Sequence, residues 1–504
     1  METCPLGAPC VSRAAVCPDV GLWSRRRLFP IVSCMGLMLC MVSILPCFGE
    51  DKAGQAGADF ASLPAELALG QALRTAVISN KDIRIADTVA ARAEALAPGA
   101  KGEFDATLFA ETAGGRSRRP TATVPVGRAD TRDAALVTGV RKRSITGTEV
   151  ELSATMAYNS DDASEDALDP RYDSEVALVV RQDVLKDFGP RVNRTDILVL
   201  RNNVRISGEA FRERIIDTLY DVEAAYWDLY FAQADLQVRE RQLERAKELV
   251  RIAEARVDVG DAPPIEITRA QSSAAIQTVA IVNAQSRVRK LRHRILQLMG
   301  VLNDTEAGAE FVLVDAPPSN TVAVTLSETL AVAESARPDL RQARRSIDNA
   351  RLRERYAGNQ RLPTLQAYGS MSLLGLGGEL DADSTRPGNN GQQAWEVGLF
   401  LELPLPNRSA RSEYIAATLE RRQAELQAEA LVETVTRQAA DAIEDLNAAA
   451  LRLESAAEAR TLARRLLDAE EKSFNLGRTE SFNVLDAQAG LAAAERDEVR
   501  ARTD

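Results

Sequence analysis

The chain has 504 residues, and its 62 Lys and Arg against 73 Asp and Glu give a formal net charge of -11, whereas nucleic-acid-binding proteins normally carry a basic surplus. All six cysteines lie within the first 47 residues, and His293 is the single histidine. The rest of the chain therefore cannot form a disulfide, a Cys/His zinc site or a thiol nucleophile, so we predict no enzyme activity, no metal or other cofactor and no nucleic-acid partner.

A secretory signal peptide is predicted over residues 1–49. Three arginines at 25–27 precede an apolar run from Leu28 to Leu45, which is followed by the small residues Cys47 and Gly49. About 18 apolar residues could also just span a bilayer as an N-terminal anchor. The small residues and the polar sequence after them favour cleavage after Gly49. Lipidation at Cys34 is disfavoured because the apolar run before it is short.

Alternating apolar and polar residues predict several β-strands. The alternating segments are Phe104 to Thr112, Thr148 to Tyr158, Leu365 to Leu373 and Trp395 to Leu403, and Ser174 to Leu185 is more continuously apolar. Strands of about ten residues with one apolar face suit a transmembrane β-barrel, although a half-buried soluble sheet has the same period. The export signal and the long helices described next favour the barrel. Polar, Gly-rich stretches at 114–132 and 381–391 are predicted to be loops.

Heptad repeats predict long helices in both halves of the chain. In the first half, apolar residues recur every seven positions at Val222, Leu229, Leu236, Leu243, Val250 and Val257, with small residues three positions after four of them. In the second half, Leu446, Leu453 and Leu467 continue such a seam. Apolar and small positions sustained in this way specify supercoiled helix packing. A continuous helix over residues 209–259 would reach roughly 75 Å.

An internal duplication organises the exported chain. Residues from 229 to 271 match those 217 positions later, and residues from 69 to 93 match those 257 positions later. We therefore predict a first repeat over residues 50–320 and a second over 321–504, with about 40 extra residues in the first repeat, the difference between the two offsets, as an added hairpin or a longer loop. The counterpart of Met299 would fall after Asp504, so the last helix is predicted to be short.

Five short motifs resemble those of the TolC family of bacterial outer-membrane efflux and secretion channels. They are Ala-Tyr-Trp-Asp-Leu at 225–229, Arg-Val-Asp-Val-Gly at 256–260, Arg-Pro-Asp-Leu at 337–340, Leu-Pro-Leu-Pro-Asn-Arg at 403–408 and Phe-Asn-Leu-Gly at 474–477. The resemblance implies a mainly α fold with β, in which long antiparallel coiled-coil-like helices form a periplasmic tunnel. It also implies four strands per subunit in a transmembrane β-barrel shared by a homotrimer.

The implied function is that of a passive outer-membrane channel in a tripartite efflux pump or a type I secretion system. Its implied partners are a periplasmic adaptor (membrane fusion) protein and an inner-membrane RND or ABC transporter, with the helical part in the periplasm and the barrel in outer-membrane lipid. The alternative is a periplasmic coiled-coil adaptor or scaffold protein. An adaptor would need a compact β-rich lipoyl-type domain and one hairpin rather than two duplicated halves.

The resemblance also locates a gate, because tunnels of this family narrow at the hairpin tips, where acidic rings and polar links between helices hold them shut. Asp486 matches the second acid of the ring, whereas the first ring position is Asn483. Glu266 matches an acidic link residue, and Phe474 matches its tyrosine partner but lacks the hydroxyl. Arg478 lies one position from the gate arginine of the family. The alternative is that these five positions are ordinary solvent-exposed helix ends, which commonly carry the same residue types.

Two glycines mark the predicted hairpin tips. Gly260 and Gly477 follow the two long helices at the same offset of 217 residues. A chain that reverses at a helix end favours the left-handed conformation that glycine adopts readily. We therefore predict tight turns at both positions, and the resemblance implies that the adaptor docks there.

Overall fold

The structure is a computed structural model, and it describes residues 65–121, 127–162, 168–303, 310–317, 324–380, 385–388 and 391–504. The predicted signal peptide at 1–49 lies outside the described residues. Within them, no helix is both long enough and apolar enough to cross a bilayer.

Two very long helices dominate the fold. Helix α4 spans Thr195–Asp258 with 64 residues, and α8 spans Arg408–Asn475 with 68 residues, so each is about 100 Å long. Each reverses through a short turn into a second helix, α5 at Ile265–Met299 and α9 at Ser481–Thr503. The heptad prediction is therefore confirmed, and both helices begin earlier than the predicted seams.

Shorter helices precede each group of strands, and one more, α3 at Pro190–Asn193, leads into α4. The others are α1 at Leu69–Ser79, α2 at Lys81–Leu96, a 3-10 helix at Ala97–Phe104, α6 at Leu326–Ala336 and α7 at Pro338–Gln360. The pairs α1–α2 and α6–α7 break at the same repeat position, because Asn80 and Arg337 are 257 residues apart. Asn80 accepts hydrogen bonds from backbone N–H groups in the first turn of α2, and Pro338 begins α7 directly after Arg337. The order of elements thus recurs in the two halves, which confirms the duplication; the repeat boundaries remain predictions.

The strands of the described ranges form two sheets. A two-residue parallel pair joins β1 at Glu66–Leu67 to β6 at Val312–Leu313. The large sheet is antiparallel throughout and has the order β2-β3-β4-β5-β7-β8. Its strands are β2 at Thr107–Thr121, β3 at Gly127–Arg143, β4 at Thr148–Asp161, β5 at Arg171–Asp183, β7 at Thr364–Gly377 and β8 at Gln393–Glu402. One face exposes apolar side chains such as Leu152, Leu178 and Trp395.

The large sheet corrects two expectations. Within the described residues the sheet has six strands per chain, not the four that the resemblance implied. The predicted loop at 114–132 is wrong, because its described residues continue β2 and begin β3. Its charged residues pair across the two strands: Arg116 Nε donates to Asp130 Oδ1 at 2.8 Å, and Arg118 Nε lies 3.2 Å from Asp130 Oδ2. Cross-strand ion pairs of this kind stabilise a hairpin that looks like a loop in sequence.

The extra strands are β3 and β4. Counting 257 residues back from the start of β7 at Thr364 gives Thr107, the start of β2, and counting 217 back from β8 gives positions within and just after β5. The surplus of about 40 residues therefore forms the inserted hairpin between β2 and β5, which settles the choice between a hairpin and a longer loop.

The main hydrophobic core lies where α4 and α5 meet α1 and the small sheet. Tyr226 is fully buried there, and its hydroxyl lies 3.0 Å from the Leu67 carbonyl and 3.3 Å from the Asp315 carboxylate. The same carboxylate accepts a hydrogen bond from the Leu69 N–H at 2.6 Å. Burial raises the pKa of Tyr226. The Ala-Tyr-Trp-Asp-Leu motif therefore supplies a polar anchor that joins three distant chain segments.

Candidate functional site at the hairpin tips

The two helical hairpins turn in the same way. Gly260 has φ 78° and Gly477 has φ 68°, both in the left-handed region. At the first tip the Asp261 N–H donates to the Arg256 carbonyl at 2.9 Å, and at the second the Arg478 N–H donates to the Ser473 carbonyl at 2.9 Å. These bonds satisfy carbonyls that a helix end leaves unpaired. The structure therefore has tight turns at both predicted glycines.

The two hairpins pack against each other just behind the turns. The buried apolar residues of this tip cluster come from all four helices: Leu249, Ala253, Ala270, Leu467, Phe474, Val484, Ala487 and Leu491. Phe474 lies inside the cluster, and the Arg256 guanidinium stacks on its ring at 4.8 Å. The phenylalanine thus makes an apolar contact and a cation–π contact where the family tyrosine implied a hydrogen bond.

A polar link joins the hairpins beside this cluster. Glu266, in the first turn of α5, is 9% exposed and accepts a short hydrogen bond from the Ser481 hydroxyl at the start of α9. Arg269 Nη1 donates to the other oxygen of Glu266 at 3.1 Å and lies 3.8 Å from Glu480. Ser481 is itself 1% exposed. The link is therefore a charge-assisted hydrogen bond in a largely dry site.

The remaining predicted gate residues lie elsewhere on the tips. Asn483 and Asp486 are exposed and three positions apart on α9, so they share a helix face, which is rotated by about 100° from the face of the cluster residues Val484 and Ala487. Arg478 is exposed in the second turn. The structure thus brings Glu266 and Phe474 to the contact between hairpins and leaves the other three facing outward.

Ser481 is the candidate site residue that sequence reasoning missed. It begins α9, and its only signal in the sequence is a small hydroxyl residue shortly after a turn glycine, which is common at helix starts. The 215 positions between Glu266 and Ser481 separate the partners in sequence, so only the packed hairpins reveal the pair.

No group of three or more Asp, Glu, His or Cys side chains that could hold a metal ion occurs in the part of the chain that the structure describes. The charged groups at the tips are instead paired with one another or exposed. The arrangement holds the two helical hairpins of the chain together.

An antiparallel sheet with an exposed apolar face, joined to two helical hairpins that each contain one helix of about 100 Å, defines the class of outer-membrane channel proteins. The sequence profile of the Outer membrane efflux protein family matches residues 140–301 and 329–504, so the chain belongs to that family. It is an outer-membrane efflux channel protein whose helical part lies in the periplasm. Members of this family are channel proteins.

Individual relatives agree with this assignment. The chain is 25% identical over 357 residues to the outer membrane efflux protein BepC of Brucella suis biovar 1 (strain 1330), covering 69% of this chain and 73% of that protein. The outer-membrane channel OprN has the same fold, with a TM-score of 0.65, 19% identity and 86% of each chain covered. The Campylobacter jejuni CmeC outer membrane channel has a TM-score of 0.63 and 14% identity, covering 86% of this chain and 82% of that one. These findings support the channel and not the adaptor alternative.

Proposed function

We propose that three copies of this chain form the outer-membrane exit channel of a tripartite efflux pump or a type I secretion system. The observation that carries the proposal is the open sheet: β2 and β8 are its edges, and one face between them is apolar and exposed. An unpaired strand edge cannot lie in lipid, because its backbone N–H and C=O groups would have no partners. Closure by further copies removes both edges.

The hairpin tips are the proposed docking site of a periplasmic adaptor protein. Beside the tip glycines Gly260 and Gly477, Val259 is 78% exposed and Leu476 is 66% exposed. The two residues are equivalent in the duplication, so each subunit presents two apolar contacts. Exposed apolar residues at the same place on repeated units are suited to a protein partner. The adaptor would connect the channel to an inner-membrane transporter of the RND or ABC class.

The tips also carry the proposed gate. The link between Glu266 and Ser481 and the surrounding apolar cluster hold the two hairpins of a subunit together. Asn483 and Asp486 lie on an exposed face of α9 beside this contact, and in a ring of three subunits that face is available to line the narrow end of the tunnel. Because only one of the two ring positions is acidic, the constriction would carry fewer negative charges than a ring with two acids.

Two measurements test this function. Native mass spectrometry of the detergent-extracted protein is expected to give the mass of three chains. In cells that lack their own channel of this kind, Val259→Asp with Leu476→Asp is expected to abolish drug resistance, since buried charges in an adaptor contact are costly. The matched control, Val259→Thr with Leu476→Thr, keeps neutral side chains and should retain most resistance. A soluble monomer, or full resistance of the double aspartate variant, would contradict the proposal.

A further inference from the structure

The inserted hairpin β3–β4 raises the question of whether these strands belong to the membrane wall. They could instead be an appendage outside the bilayer. Two independent patterns, one on each face of the sheet, bear on the question.

The apolar face continues without a break across all six strands. One cross-strand row runs through directly paired residues, one from each strand: Leu108, Val140, Leu152, Leu178, Met371 and Trp395. All six are exposed, from 41% for Val140 to 77% for Trp395. The inserted strands contribute two members of the row and further exposed apolar neighbours, Leu136, Val150 and Met156. A soluble appendage has no reason to keep an exposed apolar row in register with the lipid-facing strands.

The opposite face of the same strands is polar and charged. Arg141 on β3 lies 2.9 Å from Glu151 on β4, and Arg181 on β5 lies 3.2 Å from Glu149 on β4. Arg141 also lies 3.8 Å from Glu149, and Arg181 lies 3.6 Å from Glu151, so the four side chains form one network. Charges of this density are expensive in hydrocarbon and ordinary in a water-filled lumen. The network joins both inserted strands to β5, which the duplication equates with β8.

The strand directions allow closure. Because all neighbours in the sheet are antiparallel and the strand number is even, the edge strands β2 and β8 run in opposite directions. The free edge of β8 in one copy can therefore pair in antiparallel fashion with the free edge of β2 in the next. An inserted pair of strands preserves this polarity, whereas a single inserted strand would not.

We propose that β3 and β4 are part of the barrel wall, and that three copies, paired β8 to β2, close an eighteen-stranded barrel with six strands from each. The proposal rests on the trimer of the proposed function. Barrel diameter grows roughly linearly with strand number, so this barrel is about 1.5 times as wide as the twelve-stranded barrel that four strands per subunit would give. The barrel is then wider than the rest of the channel requires, and the narrowest part of the channel is at the hairpin tips.

Cysteine labelling tests the place of the hairpin, because no cysteine occurs after residue 47 and the exported chain is a clean background. Single variants would be made on β4 at Leu152→Cys and Ser153→Cys, whose side chains lie on opposite faces. The matched pair on β7 is Met371→Cys and Ser370→Cys. One sample of each full-length protein would be reconstituted in vesicles and exposed to a membrane-impermeant maleimide. A second sample would be labelled at the cysteine with a fluorophore before reconstitution, and a lipid-dissolved spin label would then test whether that fluorophore is quenched.

The expected result is the same alternation on both strands: Ser153→Cys and Ser370→Cys react with the maleimide, whereas Leu152→Cys and Met371→Cys lose that reaction and are quenched from the lipid. Maleimide reaction at both β4 positions, with alternation kept on β7, would place the hairpin outside the wall and overturn the inference. Native mass spectrometry of the same samples separates the two proposals. A copy number other than three overturns the trimer, whereas three copies without alternation on β4 overturn only the eighteen strands.

Discussion

The Ser481→Ala variant removes one atom from the contact between the two hairpins. The lost hydroxyl is the donor to the Glu266 carboxylate, which is 9% exposed. A hydrogen bond to a charged group contributes about 1.5–3 kcal/mol. Arg269 remains 3.1 Å from the carboxylate as a second partner, so the lower part of this range applies. A change of about 1.5 kcal/mol corresponds to roughly a tenfold shift toward separated hairpins.

The assay is single-channel conductance of the purified protein in a planar bilayer, with uptake of a large antibiotic by cells as the second readout. Ser481→Ala is expected to spend roughly ten times longer in a high-conductance state. Glu266→Gln is expected to have a smaller effect, because the amide oxygen still accepts the hydroxyl and only the charge is lost. The control is Ser272→Ala, because Ser272 is an exposed serine on α5, the helix that carries Glu266. This variant should leave conductance unchanged.

Either of two results would refute the reasoning. If Ser481→Ala conducts like the parent protein while remaining trimeric, the link does not hold the hairpins, and the apolar tip cluster alone keeps them together. If Ser272→Ala opens the channel equally, the effect arises from general loosening of α5 and not from the link.

Three further predictions concern stability. Gly477→Ala is expected to lower the free energy of unfolding by about 1–2 kcal/mol, because its φ of 68° is left-handed, whereas Gly490→Ala inside helix α9 should raise it by about 0.5–1 kcal/mol; thermal unfolding of the two variants measures both. Tyr226→Phe is expected to cost about 1–3 kcal/mol in urea unfolding, since the Leu67 carbonyl loses its buried donor. Burial alone would raise the pKa of Asp339, but hydrogen bonds from Arg337 and a backbone N–H outweigh it and lower that pKa below its ordinary value of 3.8. The stability that this pair adds is therefore present above that value and lost as the pH falls through the lowered pKa, so the destabilisation by Asp339→Asn should shrink in acid; equal destabilisation at all pH values would contradict it.

The regular parts of the fold could be predicted because each repeats a short period. Heptads recur from Val222 to Val257 because one helix face packs along its whole length, and alternation from Thr148 to Tyr158 records a strand with a wet side and an apolar side. The duplication could also be predicted, because two blocks that match at fixed offsets are found by comparing the sequence with itself, without any tertiary contacts. The family resemblance then located the turns at Gly260 and Gly477.

The irregular segments could not be predicted, because their conformation depends on which residues face them in the folded chain. Arg116 and Asp130 appear in sequence as a polar loop, and they become strand residues only when they face each other across a hairpin. The same resemblance implied four strands, although the surplus of 40 residues between the offsets already pointed to more chain at that place.

The sequence by itself determined the export signal as a prediction, the long helices, the duplicated order of elements and the family, because these depend on local periodicity and on spacing along the chain. The tertiary structure decided the number of strands, the unbroken apolar row across them and the pairing of Glu266 with Ser481. Those features join residues that are far apart in sequence. A hydrogen bond or a strand register is set by which surfaces meet, and no local pattern specifies that.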